Sequence, residues 1–327
     1  MQSYWMQMTE HTTVLERRDT SLPEPGPQQL LVRMRAAGLN RGEFVLGHGL
    51  HGAPGSWKPI GGEGAGEVMA VGAEVTAFKP GDAVMGRCAG AFSEYVLMDT
   101  AEAMPKPDAL SWYEAAAIPL TFMVAFDMLV LQGRLRVGEW LLVNGVSSGV
   151  GVASLQLGKV LGARVIGTSG SETKLARLAP LGLDVPLLTR SADFAPAVMA
   201  ATEGHGADLV VNAVGGSVFA ENIRAMAFEG RLATVGYVDG VLHADLDLEA
   251  LHAKRLSLFG VSNKLRSKAQ RAAAVPRFTA EVLPHFASGR IAPQVDRVLD
   301  FTELAAAKAC MESAGHVGKL VLRMPGF

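Results

Sequence analysis

Residues 141–174, LLVNGVSSGVGVASLQLGKVLGARVIGTSGSETK, hold the pattern with the clearest chemical meaning. An apolar run gives way to Gly145, Ser147, Ser148, Gly149, Val150 and Gly151, and a helix-like segment follows. Where strand becomes helix, glycines let the backbone pass close to a pyrophosphate, and the first helical turn directs N–H groups at it. Ser147 and Ser148 add hydroxyl donors. A turn kept glycine-rich only for tight strand–helix packing is the alternative. The strand–turn–helix–strand setting favours cofactor binding. A chain that holds the ribose diol of NADH carries a carboxylate about twenty residues further on. Here the second apolar run ends in Thr168 and Ser169, with Lys174 close behind. A neutral donor and a cation suit the 2′-phosphate of NADPH, which a carboxylate would repel. Glu172 argues the other way unless it serves the first turn of its helix, and Lys174 also reads as an ordinary solvated lysine.

The elements around this loop follow from periodicity. Up to about residue 110 the chain is punctuated by Gly and Pro, with short apolar runs such as QQLLVRMRAAGL, GEVMAVG and GDAVMGR, which predict a small, mainly β domain. A helical segment over 111–135 leads into the strand EWLLVNG. The runs RVIGTS, DVPLLT, ADLVVNAVGG, RLATVGYVDG and RLSLFGVS then alternate with helical stretches, the last of those named being SVFAENIRAMAFEG. That alternation predicts a doubly wound parallel sheet covered on both faces, an α/β domain. A single helix over 267–289 returns the chain to two short strands. The expected organisation is a first domain over 1–120, a cofactor-binding domain over 121–264 and a return to the first domain over 265–327.

Composition narrows the class of protein. With 327 residues, two domains are the default. A formal net charge of -2 with scattered Lys and Arg speaks against a nucleic-acid partner. Two cysteines, Cys88 and Cys310, cannot build a four-thiolate zinc cage, and they suggest the cytoplasm over an oxidising compartment. The N-terminus lacks the order of a signal peptide. The most apolar stretch, AAAIPLTFMVAFDMLVL, contains Pro119 and Asp127 and reads as a buried helix, so no membrane span is expected.

The ordered set AAGLNRGEF, GGEGAGEVMAVG, AGAFSEYV, AAAIPLTFMVAF, VNGVSSGVG, VNAVGG and GHVGKLVL resembles the medium-chain dehydrogenase/reductase superfamily, in its zinc-free quinone oxidoreductase-like branch. The resemblance implies a GroES-like first domain, a Rossmann domain and a cleft between them for cofactor and substrate. Zinc-dependent relatives have Cys where Asn40 stands and His where Gly62 stands, so no metal ligands are expected. Asn40 and Thr121 become the catalytic candidates. Asn40, Thr121, Ala125, Ser169, Lys174, Thr189, Val214, Gly236, Tyr237, Ser262, Asn263 and Lys319 match positions that border the cofactor, NADPH. Two departures stand out: Val45 and Thr189 occupy positions where relatives often have tyrosine.

Hydride transfer to a quinone or enone needs no fixed protein base, because the acceptor can take its proton from solvent. Alcohol oxidation needs a Lewis acid or a base and fits this residue set poorly. The expected activity is therefore NADPH-dependent reduction of a quinone or other activated carbonyl, with an enoyl-thioester reductase and a non-catalytic NADPH-binding protein as alternatives. His48 and His51 read as loop histidines that could also donate a proton at the cleft. RLSLFGVS, as an apolar edge strand, is expected to join two copies into a homodimer.

Overall fold

The computed structural model describes residues 1–9, 13–44, 55–263 and 265–326, so Val45, His48 and His51 lie outside the described residues. The first strands are β1 (Gln2–Met8), β2 (Thr13–Asp19), β3 (Gln29–Gly38), β4 (Trp57–Pro59), β5 (Glu63–Val71), β6 (Ala83–Arg87), β7 (Tyr95–Asp99) and β8 (Ala103–Pro105). There follow β9 (Trp140–Asn144), β10 (Arg164–Ser169), β11 (Val185–Leu188), β12 (Ala207–Asn212), β13 (Met226–Thr234) and β14 (Ser257–Gly260). The chain ends with β15 (Val295–Asp300) and β16 (Lys319–Arg323). It divides into two compact units, one of Met1–Met123 with Asn263–Phe327, the other of Val124–Ser262.

In the first unit the sheet order is β15-β16-β3-β5-β6-β8, with β7 also pairing β3, and β2-β1-β4 form a smaller sheet. The long β3 is central because its apolar run LLVRMRAAG is buried almost throughout. Met34, Phe92, Met98 and Leu322 belong to the core beneath it. Glycine is required where strands crowd: a Cβ on Gly66 would lie 2.2 Å from the Arg33 carbonyl oxygen.

The second unit holds a parallel sheet in the order β11-β10-β9-β12-β13-β14, doubly wound, with the order of the strands reversing between β9 and β12. Its strands read as continuous apolar runs because helices cover both faces, and Leu142, Ile166, Val210 and Leu232 are fully buried.

Three local expectations differ from the structure. The helical segment over 111–135 is broken into Trp112–Ala116, Thr121–Phe126 and a wider π-helical stretch Asp127–Gln132, with Pro119 at the first break. The helix over 267–289 is likewise three helices, Lys268–Ala272, Val275–Glu281 and Leu283–Ala287; Pro276 and Pro284 sit in the first turns of the last two, where no N–H is needed. The helix expected to run to Gly230 stops at Ala225, and β13 starts at Met226. Lys254 ends it by donating its ammonium to the carbonyls of Ile223, Arg224 and Met226.

Candidate functional site

The glycine loop is shaped by its neighbours in the second unit. Gly145 adopts φ 69°, and its N–H donates to Thr168 Oγ1 at 3.3 Å, while the Val146 N–H donates to the Thr168 carbonyl at 3.1 Å. Ser148 is the N-cap of helix Gly149–Val160, its Oγ accepting from the Gly151 N–H at 3.0 Å. A Cβ on Gly151 would lie 2.4 Å from the Gly145 carbonyl oxygen, so no larger residue fits. Ser147, Gly149 and Val150 remain half-buried on the loop and first helical turn.

Apart from Ala125, on the helix Thr121–Phe126, the other expected cofactor positions of this unit follow the carboxyl ends of neighbouring parallel strands, the rim where open α/β sheets bind ligands. Ser169 ends β10 and its Oγ accepts from the Ser171 N–H at 3.2 Å. Lys174 lies in the first turn of helix Glu172–Leu178, half-buried, its N–H donating to the capping Ser171 Oγ. Val214 follows β12 in a turn held by Asn212, whose Oδ1 accepts from the N–H groups of Val214 and Gly215. Val214 reaches Gly145: a Cβ there would meet Val214 Cγ2 at 3.6 Å. Gly236 packs against the Ala213 carbonyl, Tyr237 is exposed, and Ser262 follows β14. Ala125 is fully buried. Thr189 donates its hydroxyl within its own loop, to the Ser191 carbonyl and Asp193 Oδ1.

One residue of this rim has no signature in sequence. Arg190, exposed just beyond β11, donates Nε–H to the carbonyl of Gly170, the residue after Ser169, at 3.2 Å. β11 pairs with β10 in parallel, so the segment after one strand runs next to the segment after the other.

In the first unit Asn40, Lys319 and the Thr121 segment meet at a carboxylate that sequence reasoning passed over, Glu63. Glu63 Oε1 accepts from Lys319 Nζ at 2.6 Å and from Asn40 Nδ2 at 2.8 Å, and Oε2 accepts from the Leu120 N–H at 2.6 Å. Lys319 also donates to Asn40 Oδ1 at 2.8 Å and to the Leu39 carbonyl at 2.7 Å. Thus the ammonium has three acceptors for its three protons, which is what keeps so buried a pair tolerable. Thr121, buried, donates to the Ala117 carbonyl at 2.9 Å, which fixes the hydroxyl on its own helical turn. Asn263 accepts from Arg266 Nη1 at 3.4 Å and stands apart from this network.

A second buried carboxyl, Glu43, accepts from the Asn40 N–H at 3.0 Å in a capping box of spacing N-x-x-E, a signal present in the sequence. Burial pushes the Glu43 carboxyl up to about 7 against the opposing influences of the Asn40 hydrogen bonds and the Lys319 charge.

These residues do not suit a catalytic zinc. The Asn40 amide is bound at both ends by Lys319 and Glu63, and Gly62 has no donor atom. A Cβ on Gly62 would lie 2.9 Å from Glu43 Oε1, so the carboxyl crowds the place of a longer side chain. Burial pushes the Cys88 thiol up to about 12, helped by Glu63, Glu102 and Glu43, the reverse of what a thiolate ligand needs. Among the described residues no group of three or more His, Cys, Asp or Glu is placed to hold a metal ion. Among them, too, no helix is long and apolar enough to cross a membrane.

Comparison with known proteins adds to this geometry. Residues 26–108 match the family described as alcohol dehydrogenase GroES-like domain, and residues 149–278 match the zinc-binding dehydrogenase family. Over 302 residues the chain is 33% identical to a phenolphthiocerol/phthiocerol polyketide synthase of Mycobacterium tuberculosis. That match covers 92% of this chain and only 14% of the synthase's length. The solved quinone oxidoreductase of Pseudomonas syringae pv. Tomato DC3000 is 30% identical, with a TM-score of 0.86, covering 99% of this chain and 100% of that one. The CurK enoyl reductase is 27% identical with the same TM-score and the same coverage of both chains. Two family domains in order, joined to full-length likeness at 30% identity, mean that the chain belongs to the medium-chain dehydrogenase/reductase superfamily.

Proposed function

We propose that this chain is a metal-independent reductase that transfers hydride from NADPH to a quinone or another α,β-unsaturated carbonyl compound. The observation that carries the cofactor assignment is the end of β10, where Ser169 stands in place of a carboxylate, with Lys174 in the first turn of the following helix and Arg190 bound to the Gly170 carbonyl. Two cations and a hydroxyl are the donor set for a phosphate of charge near -2. NADPH supplies the hydride. The glycine loop, with Ser148 capping the helix behind it, holds the pyrophosphate, and Val214 and Gly236 border the nicotinamide end of the rim. Asn40, locked in one orientation by Lys319 and Glu63, positions the reacting groups in the first unit, with Thr121 on the neighbouring helix. A conjugated carbonyl becomes reducible without a metal because the enolate or quinol anion left by hydride addition takes its proton from water.

An enoyl-thioester reductase is the second reading, favoured by the likeness to the CurK enoyl reductase and to polyketide synthases. Either way the enzyme acts as a homodimer joined through β14, the edge of the parallel sheet. The experiment is NADPH oxidation, followed by absorbance, against quinones, enones and enoyl thioesters. Turnover with quinones and simple enones supports the first reading, and turnover confined to thioesters supports the second. No turnover with any acceptor, despite NADPH binding, would leave a non-catalytic binding protein.

A further inference from the structure

Arg87 ends β6, directly opposite Glu63 in the antiparallel β5–β6 ladder. Opposed residues of such a pair send their side chains to the same face, so Arg87 shares a face of the sheet with the Asn40–Glu63–Lys319 network. On its other side, the β6–β8 pairing of Gly86 with Ala103 sets Arg87 beside Glu102. Two further arginines close the group. Arg271 donates Nε–H to Glu102 Oε1 at 3.2 Å and Nη1–H to the Arg266 carbonyl at 2.6 Å, and Arg266 donates to Asn263 Oδ1.

The charges do not balance within this group. Glu63 is taken up by Lys319, Asn40 and the Leu120 N–H, and Glu102 by Arg271. Arg87 Nε–H is buried and meets no acceptor among the described residues. Such a donor in a half-buried cation is costly unless an acceptor arrives. Burial pushes the guanidinium below its ordinary pKa, and Arg271 and Arg266 push in the same sense while Glu102 and Glu63 oppose them. A guanidinium presents its donors as a planar fork that matches the two oxygens of a carboxylate or phosphate.

We propose that Arg87 anchors an anion subsite of the first unit, which takes a carboxylate or phosphate carried by the substrate; this deepens the reductase reading and rests on it for the identity of the ligand as substrate. Within that reading the ligand would be an α,β-unsaturated carbonyl compound that carries a carboxylate or phosphate apart from the reacting carbons, as a thioester on a phosphopantetheine arm does.

The test is calorimetric titration of the full chain, saturated with NADP⁺ so that the dinucleotide's phosphate positions are filled. Two pairs of probes differ chiefly in charge: phosphopantetheine against pantetheine, and crotonate against crotonamide. Wild type should bind the charged member of at least one pair tenfold or more tightly. A preference in the first pair identifies a phosphate, and one in the second a carboxylate. Arg87→Met should abolish the ratio, and Arg87→Lys, which keeps the charge and loses the fork, should reduce it. Should Arg87→Met fail to fold by circular dichroism, Arg87→Lys carries the comparison. Equal affinity within both pairs in wild type, or a ratio that survives in the folded variants, overturns the subsite. Because binding is read and not turnover, a charge preference without any NADPH oxidation would retain the subsite and remove only the reductase reading.

Discussion

Replacing Glu43 with glutamine should remove a pH dependence of stability that this one carboxyl imposes. Glu43 is 7% exposed, and burial raises its pKa from 4.5 to about 7. Between those values the unfolded chain has released the proton while the native chain still holds it, so stability falls as pH rises through this window. It levels off once the native carboxyl has also ionised. Two and a half pKa steps at about 1.4 kcal/mol each correspond to about 3 kcal/mol, most of it between pH 5 and pH 8. The glutamine side chain of the Glu43→Gln variant can still accept from the Asn40 N–H, so the capping box survives in part. The assay is urea unfolding of wild type and variant at pH 5, 6, 7 and 8, followed by circular dichroism and tryptophan fluorescence. The variant should be less stable than wild type or equal to it at pH 5, and should gain on it by about 2 kcal/mol or more at pH 8. Parallel pH profiles for the two proteins would refute the reasoning, because they would mean that Glu43 is already ionised in the native state at pH 5.

Four further outcomes are expected. Ser169→Asp should invert the preference for NADPH over NADH, moving the ratio of dissociation constants by tenfold or more, about 1.4 kcal/mol; equal affinities for both cofactors in wild-type fluorescence titrations would refute the assignment, and Arg190→Ala should weaken NADPH alone. Protein purified without added metal should contain no stoichiometric zinc by elemental analysis and keep its activity in chelator, whereas loss of zinc together with activity would refute metal independence. Leu258 lies on the edge strand β14, and Leu258→Pro removes a ladder N–H there, so light scattering should show dimers in wild type and monomers in the variant; a monomeric wild type at micromolar concentration would sink the interface.

What the sequence alone determined is what depends on neighbours a few residues apart. The glycine loop between 145 and 151, the alternation of apolar runs with helices, and Ser169 in the place of an acid are all local patterns, and each fixes a backbone feature directly. Gly151 is glycine because the Gly145 carbonyl passes within contact of its missing Cβ, a constraint set within one short turn. Local pattern misled where apolar periodicity ran straight through a proline, as at Pro119, Pro276 and Pro284: the hydrophobic face continues while the lost N–H and the ring force a new helix. The tertiary structure alone decided which charges meet. Lys319 and Glu63 are 256 positions apart, and Lys319 and Asn40 are 279 apart, so no spacing rule links them. Arg190 reaches the end of β10 because β11 pairs with it, and Arg87 faces Glu63 because of one strand register. Glu63 reads in sequence as one acidic residue among glycines. Desolvation in the folded chain leaves its carboxylate only the partners brought to it, and so makes it the point where Asn40, Lys319 and the Thr121 segment are joined.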